Sequence, residues 1–145
     1  MRLRTGARTG LAIVAGLFAV LLIVQVFLAG LGVFDSPSAF ATHRDFGYTI
    51  GLLILPLIIL ALVGRAPKGL VGLTILIAVQ MTLQSVFVAM RESNPVVAAL
   101  HPVNGVLMLI VTIVVAKWAW AIRDEPAAAP AEAAAPSVVS SDVAT

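Results

Sequence analysis

The chain contains no cysteine, which excludes disulfides, zinc–thiolate and iron–sulfur sites and cysteine nucleophiles. Charge is scarce as well: 11% of residues are charged, against roughly a quarter in ordinary soluble domains. No Asp or Glu falls inside any of the long apolar runs, so nothing supports a carboxylate relay for protons within a membrane. There is no Gly-rich phosphate loop and no Ser/His/Asp set, and a net charge of +2 is too small for nucleic-acid binding. Histidine occurs only twice, at His43 and His101.

What fills the 145 residues is apolar side chain, 61% of the total. Four apolar runs, 11–34, 46–63, 70–90 and 96–122, each reach the length a helix needs to cross the hydrocarbon core, about 17–25 residues. Helices close their own backbone hydrogen bonds, as lipid requires. Arg2, Arg4, Arg8, Arg65, Lys68, Lys117 and Arg123 fall on one side of these spans, and only Arg44 and Arg91 on the other. Seven cations against two put both ends in the cytoplasm by the positive-inside rule. Trp118 and Trp120 stand where an inner aromatic belt would lie. The expected fold is therefore all-α: a four-transmembrane-helix bundle with the N- and C-termini inside. It divides into a basic cytoplasmic N-terminus (1–10), a membrane domain (11–123) and a disordered Ala/Pro-rich cytoplasmic tail (124–145). The first run, at 24 residues, exceeds the ~7–15 of a signal peptide's apolar core and is expected to stay in the protein. Pro56 is expected to bend the second helix.

The sequence also repeats itself. Gln25-Val-Phe-Leu-Ala29 leads through a loop to His43-Arg-Asp-Phe-Gly47. Gln84-Ser-Val-Phe-Val-Ala89 leads through a loop to His101-Pro-Val-Asn-Gly105. Glutamine and histidine are 18 residues apart in the first copy and 17 in the second, and both copies end in His-x-x-x-Gly. This reads as two parallel helical hairpins, related by an axis along the membrane normal.

Such a repeat puts His43 and His101 near the outer face on the second and fourth helices, which are diagonal in a square bundle. Helices packed about 8–10 Å apart give a diagonal of roughly 12–14 Å, too wide for the imidazoles to touch but suited to a flat macrocycle with one axial imidazole on each face. Gly47 and Gly105 lie one turn below the histidines and Gly51 a further turn down; the lack of a side chain there would leave room for a ring plane. One b-type haem with bis-imidazole ligation fits this set. Zinc does not, two protein ligands being too few. Against this stands a cofactor-free reading, in which small residues serve close helix packing and Gln25, Gln80 and Gln84 form interhelical hydrogen bonds.

Gln84 through His101, and the His43-Arg44 pair, resemble one four-helix half of haem A synthase. There a glutamine-bearing helix rises to a short loop and a histidine opens the next helix. The resemblance spans about residues 20–122 and implies that His43 and His101 are axial ligands to one haem. It implies haem binding more readily than haem oxidation: the chain supplies one half where the family has two, Phe40 stands where the family places glutamate, and the family's outer cysteine pair is missing. The chain also resembles small four-span bacterial membrane proteins whose last helix opens His-Pro-x-Asn-Gly. Three functions follow as expectations. The first is a non-enzymatic bacterial plasma-membrane protein holding one haem b for electron transfer, haem handling or redox sensing, with a redox partner or a second copy of itself. The second is a cofactor-free membrane subunit or scaffold. The third is a haem-modifying enzyme assembled from two such halves.

Overall fold

A computed structural model describes residues 2–125 and contains, among them, only helices and turns. The helices are α1 (Arg2–Phe34), α2 (Ala39–Gly51), α3 (Ile54–Val63), α4 (Lys68–Ala89), α5 (Pro95–Ala98) and α6 (Leu100–Ala121). They make four spans long and apolar enough to cross a membrane: Arg2–Phe34, Ala39–Val63, Lys68–Ala89 and Pro95–Ala121. The first span packs on the second and fourth, and the third also packs on the second and fourth. The second and fourth spans are therefore diagonal, as the repeat requires, and the protein is a multi-pass membrane protein. The predicted disordered tail lies, from residue 126 on, outside the described residues.

Prolines set the breaks in two spans. Pro56 lacks an N–H, and its ring crowds the carbonyl four residues back, at Leu52. The helix stops at Gly51 and resumes at Ile54, with tighter bonds from the Leu52 N–H to the Thr49 carbonyl (3.2 Å) and from the Leu53 N–H to the Ile50 carbonyl (3.0 Å). The expected bend is thus a local break. Pro102 stands in the same relation to Ala98, where α5 ends. The Asn94 side chain caps α5 by accepting from the Val97 N–H at 3.2 Å, with Pro95 in the first helical position. At the other end of the bundle α3 closes in a Schellman turn. The Ala66 N–H donates to the Ala61 carbonyl (2.9 Å) and the Arg65 N–H to that of Leu62 (3.0 Å), with Arg65 left-handed at φ 46°.

The solid core occupies one half of the bundle. Leu11, Ala15 and Phe18 of the first span meet Leu57 and Ala61 of the second, Leu70 and Ile77 of the third, and Val115 and Ala119 of the fourth, all at or near zero exposure. These belong to the start of the odd spans and the end of the even ones, which is the basic half. Alanines on the first span let its neighbours approach closely. Large apolar side chains such as Leu17, Phe27, Leu55 and Ile110 are exposed on the outside, the face that lipid covers. Trp118 packs over Gly69, and Arg123 lies 4.1 Å above the Trp120 ring.

No structural boundary falls at residue 10, because α1 begins at Arg2 and runs on without a break. At 33 residues it is about 50 Å long, so its basic first turns extend below the hydrocarbon core. Arg8, counted above only as an inside charge, is 7% exposed and has no carboxylate partner among the described residues. Its guanidinium donates instead to the carbonyls of Gly64 (3.0 Å), Arg65 (3.4 Å), Ile122 (2.7 Å) and Glu125 (3.0 Å). These carbonyls lie at the C-terminal ends of the second and fourth spans, that of Ile122 also accepting from the Glu125 N–H at 3.2 Å, and a cation there opposes the negative end of the helix dipole. One side chain thus ties three spans together. Arg8→Leu is expected to lower stability by about 2–3 kcal/mol, read as an earlier transition in detergent unfolding. Arg8→Lys should recover only part of that loss, because a single ammonium lacks the planar fork that reaches four carbonyls.

Candidate functional site

Opposite the packed half the bundle is hollow. A cavity of about 960 Å³ opens there, lined by residues of all four spans, with His43 and His101 on its wall. The volume falls within the range of small-molecule and cofactor sites, about 300–1,000 Å³. Its lining is mainly apolar, including Leu22, Met81 and Met108, with a few converging polar groups.

Both histidines are held in the same way. His43 Nδ1 lies 3.0 Å from the Gln25 carbonyl, and His101 Nδ1 lies 3.2 Å from the Gln84 carbonyl. A carbonyl can only accept, so each Nδ1 carries a proton, and in the neutral ring Nε2 then holds the lone pair. Neither Nε2 has a hydrogen-bond partner among the described residues. The two-hairpin repeat is therefore visible as chemistry: in each copy the rising helix offers a glutamine carbonyl and the descending helix answers with an imidazole.

The ring centroids are 6.1 Å apart, with their planes at 69°. This corrects the expectation that the rings stand too far apart to approach each other. The diagonal between helix axes left out the inward reach of both side chains. Both imidazoles are half-buried and face a common interior.

The glycines have a role that the sequence did not disclose. A Cβ on Gly47 would fall 2.6 Å from the Gln25 amide nitrogen, and one on Gly105 would fall 3.0 Å from the Gln84 amide. Both glycines line the cavity, but the space at their Cβ positions is filled by glutamine amides and not left open for a ring plane. The Gln84 amide is satisfied with its nitrogen 2.9 Å from the His101 carbonyl and its oxygen accepting from the Gly105 N–H at 3.1 Å. That nitrogen also lies 3.1 Å from His101 Nδ1; in the tautomer with Nδ1 protonated, the one the Gln84 carbonyl requires, its second N–H points away from the ring. Gln25 Oε1 is buried without a hydrogen-bond partner among the described residues, as is Gln80 Oε1. Gly51 makes room for the end of Met81.

Two further residues shape the site. Asn104 is 8% exposed and donates to the Gln80 carbonyl at 2.8 Å, joining the third and fourth spans below His101. It belongs to the His-Pro-x-Asn-Gly signature, so the signal was on the page. Phe40 packs its ring over Gly32 and presents an edge to His43, 6.4 Å between centroids at 89°. It closes the cavity wall with an apolar surface at that point.

Among the described residues no three His, Asp or Glu side chains group to hold a metal ion. Of these ligand types, the cavity wall offers the two imidazoles.

Residues 25–90 match a family described as a family of unknown function, DUF6220. The similarity is to that family over this stretch. It takes in Gln25, His43, Gly47 and Gln84 and stops short of His101. No curated protein and no solved structure matches the chain.

If the glutamine amides occupy the glycine notches, the paired positions must be energetically coupled. Gly47→Ala and Gln25→Ala should show a coupling energy of about 1 kcal/mol in a double-mutant cycle of detergent unfolding, the shorter side chain relieving the added methyl. Gly47→Ala with Gln84→Ala, taken from different hairpins, should be additive.

Proposed function

We propose that this protein holds one b-type haem between its second and fourth spans, with His43 and His101 as the two axial ligands. The observation that carries this reading is the matched pair of imidazoles: 6.1 Å between centroids, each proton on the nitrogen bound to a backbone carbonyl. Metal–imidazole bonds are about 2 Å long, so two rings sharing one metal have centroids roughly 6 Å apart. An iron whose four equatorial positions are filled by a macrocycle needs only two protein ligands, which is the number present. The cavity volume and its apolar lining fit a group of that size.

Haem supplies one-electron redox chemistry. The rest falls to this chain. The Gln25 and Gln84 carbonyls fix the tautomer and orientation of each imidazole and raise the basicity of Nε2, the role outer partners play at metal-bound histidines. Gly47 and Gly105 admit the glutamine side chains, so that each helix can approach its partner closely enough for the carbonyl to reach Nδ1. Phe40, Met81 and Met108 keep water from the histidines. Apart from the two histidines, which the iron would occupy, the cavity lining among the described residues holds no carboxylate to act as a base, and Phe40 occupies the position where haem A synthase places one. That argues for electron transfer, haem handling or redox sensing over haem modification, in a plasma membrane of bacterial type and with a redox partner or a second copy of the chain.

One observation favours the cofactor-free alternative. The same two Nδ1 hydrogen bonds already tie each hairpin together, and would do so in a scaffold protein with no ligand.

Visible spectroscopy separates the two. Protein purified from haem-supplied cells is expected to show, once reduced, the sharp alpha and Soret bands of low-spin bis-imidazole haem. His43→Ala or His101→Ala should abolish these bands or convert them to a high-spin form. Gln25→Ala should retain them, since the alanine still offers the carbonyl. A folded, colourless protein that takes up no added haem would leave the scaffold reading in place.

A further inference from the structure

Arg44 and Arg91 are the only cations at the outer end of the bundle; the other seven lie at the cytoplasmic end. The positive-inside bias does nothing to place them there, yet both line the cavity. They come from neighbouring spans, Arg44 from the second, next to His43, and Arg91 just beyond the end of the third. Each now reaches only its own neighbour in sequence, Asp45 at 2.7 Å and Glu92 at 3.2 Å, with arginine side chains 63% and 65% exposed. Exposed pairs of this kind contribute little, so either guanidinium can turn to a better acceptor.

The packing around the cavity is uneven in a way that the repeat does not explain. The seam between the first and fourth spans is packed along α1 and α6. Its counterpart under the repeat, between the second and third spans, is packed only in the inner half, where α3 meets α4; α2 lies along α1 and is not closely packed on α4. The outer half of that seam is the open side of the cavity, and the two arginines flank it. A ligand partitioned in lipid can enter there edge-on, and the edge that enters last ends beside two guanidinium groups at the level of the outer surface.

We propose that Arg44 and Arg91 form a two-pronged receptor for the paired carboxylates on one edge of a flat amphipathic ligand, which enters from the bilayer between the second and third spans. The ligand class rests on the bis-imidazole reading above, since haem carries two carboxylates on one edge. Arginine suits this task because its planar fork matches a carboxylate. Where the edge meets water the gain per contact is small, and the pair sets orientation more than affinity.

The test uses metal-free protoporphyrin and its dimethyl ester, titrated by fluorescence into the full chain in lipid nanodiscs and corrected for uptake by protein-free nanodiscs. Neither probe forms an iron–imidazole bond, so the readout is independent of axial ligation. The diacid is expected to bind wild type tighter than the diester by roughly three- to thirty-fold, two exposed ion pairs acting together. The double variant Arg44→Gln/Arg91→Gln should lose most of this preference with helix content unchanged. Arg44→Lys/Arg91→Lys should restore part of it, and His43→Ala/His101→Ala should retain it. Equal binding of diacid and diester by wild type, no binding of either, or a preference unchanged in the glutamine double variant would overturn the proposal. Failure of the bis-imidazole reading looks different: added haem gives no low-spin bands, while the diacid preference persists.

Discussion

Everything at the outer end depends on how firmly the inner half is packed. Without water to drive apolar surfaces together, membrane helices associate through close fit and hydrogen bonds. Here that fit is concentrated where Leu11, Ala15 and Phe18 meet Leu57, Ile77 and Val115. Arg8 adds a polar clasp just below, closing the ends of the second and fourth spans on the first. Because the bundle is secured from beneath, its outer half can remain open around a cavity.

Within that open half, two hydrogen bonds give the histidines their chemical character. A half-buried imidazole on a membrane helix is ordinary. An imidazole whose Nδ1 is held on a carbonyl, beside a second imidazole held the same way, is the arrangement on which the haem proposal rests. The breaks at Leu52–Leu53 and at Ala99 belong to the same construction. They interrupt the regular hydrogen bonding of the even spans near the cavity, where proline has already removed a backbone bond.

The main features could be read from the sequence because lipid imposes simple rules. Run lengths gave four spans, and the matched Gln-to-His spacings of 18 and 17, read as a repeat of two hairpins, coincide with a backbone contact that exists in both. The nature of that contact could not be read, since it uses the glutamine carbonyl, which every residue type possesses, and not the amide. The glycines were legible as small but not as notches for Gln25 and Gln84, because spacing along one helix does not say which neighbour fills the gap. Arg8 was invisible for a related reason. A basic residue at the start of a first span satisfies the positive-inside rule whether it points to water or folds back onto carbonyls 56 and 114 residues away. The distance between the rings was misjudged because helix axes, and not side-chain tips, set the expectation.

The central claim is that His43 and His101 share one iron, and electron paramagnetic resonance of the oxidised, haem-loaded protein tests it most directly. Two imidazoles whose planes stand 69° apart leave the iron orbitals that interact with them nearly equal in energy, which gives a highly anisotropic low-spin signal. That signal in wild type, replaced by an axial high-spin signal in His101→Ala, is the predicted result. A high-spin signal in wild type would contradict the account, as would a low-spin signal that survives the loss of either histidine.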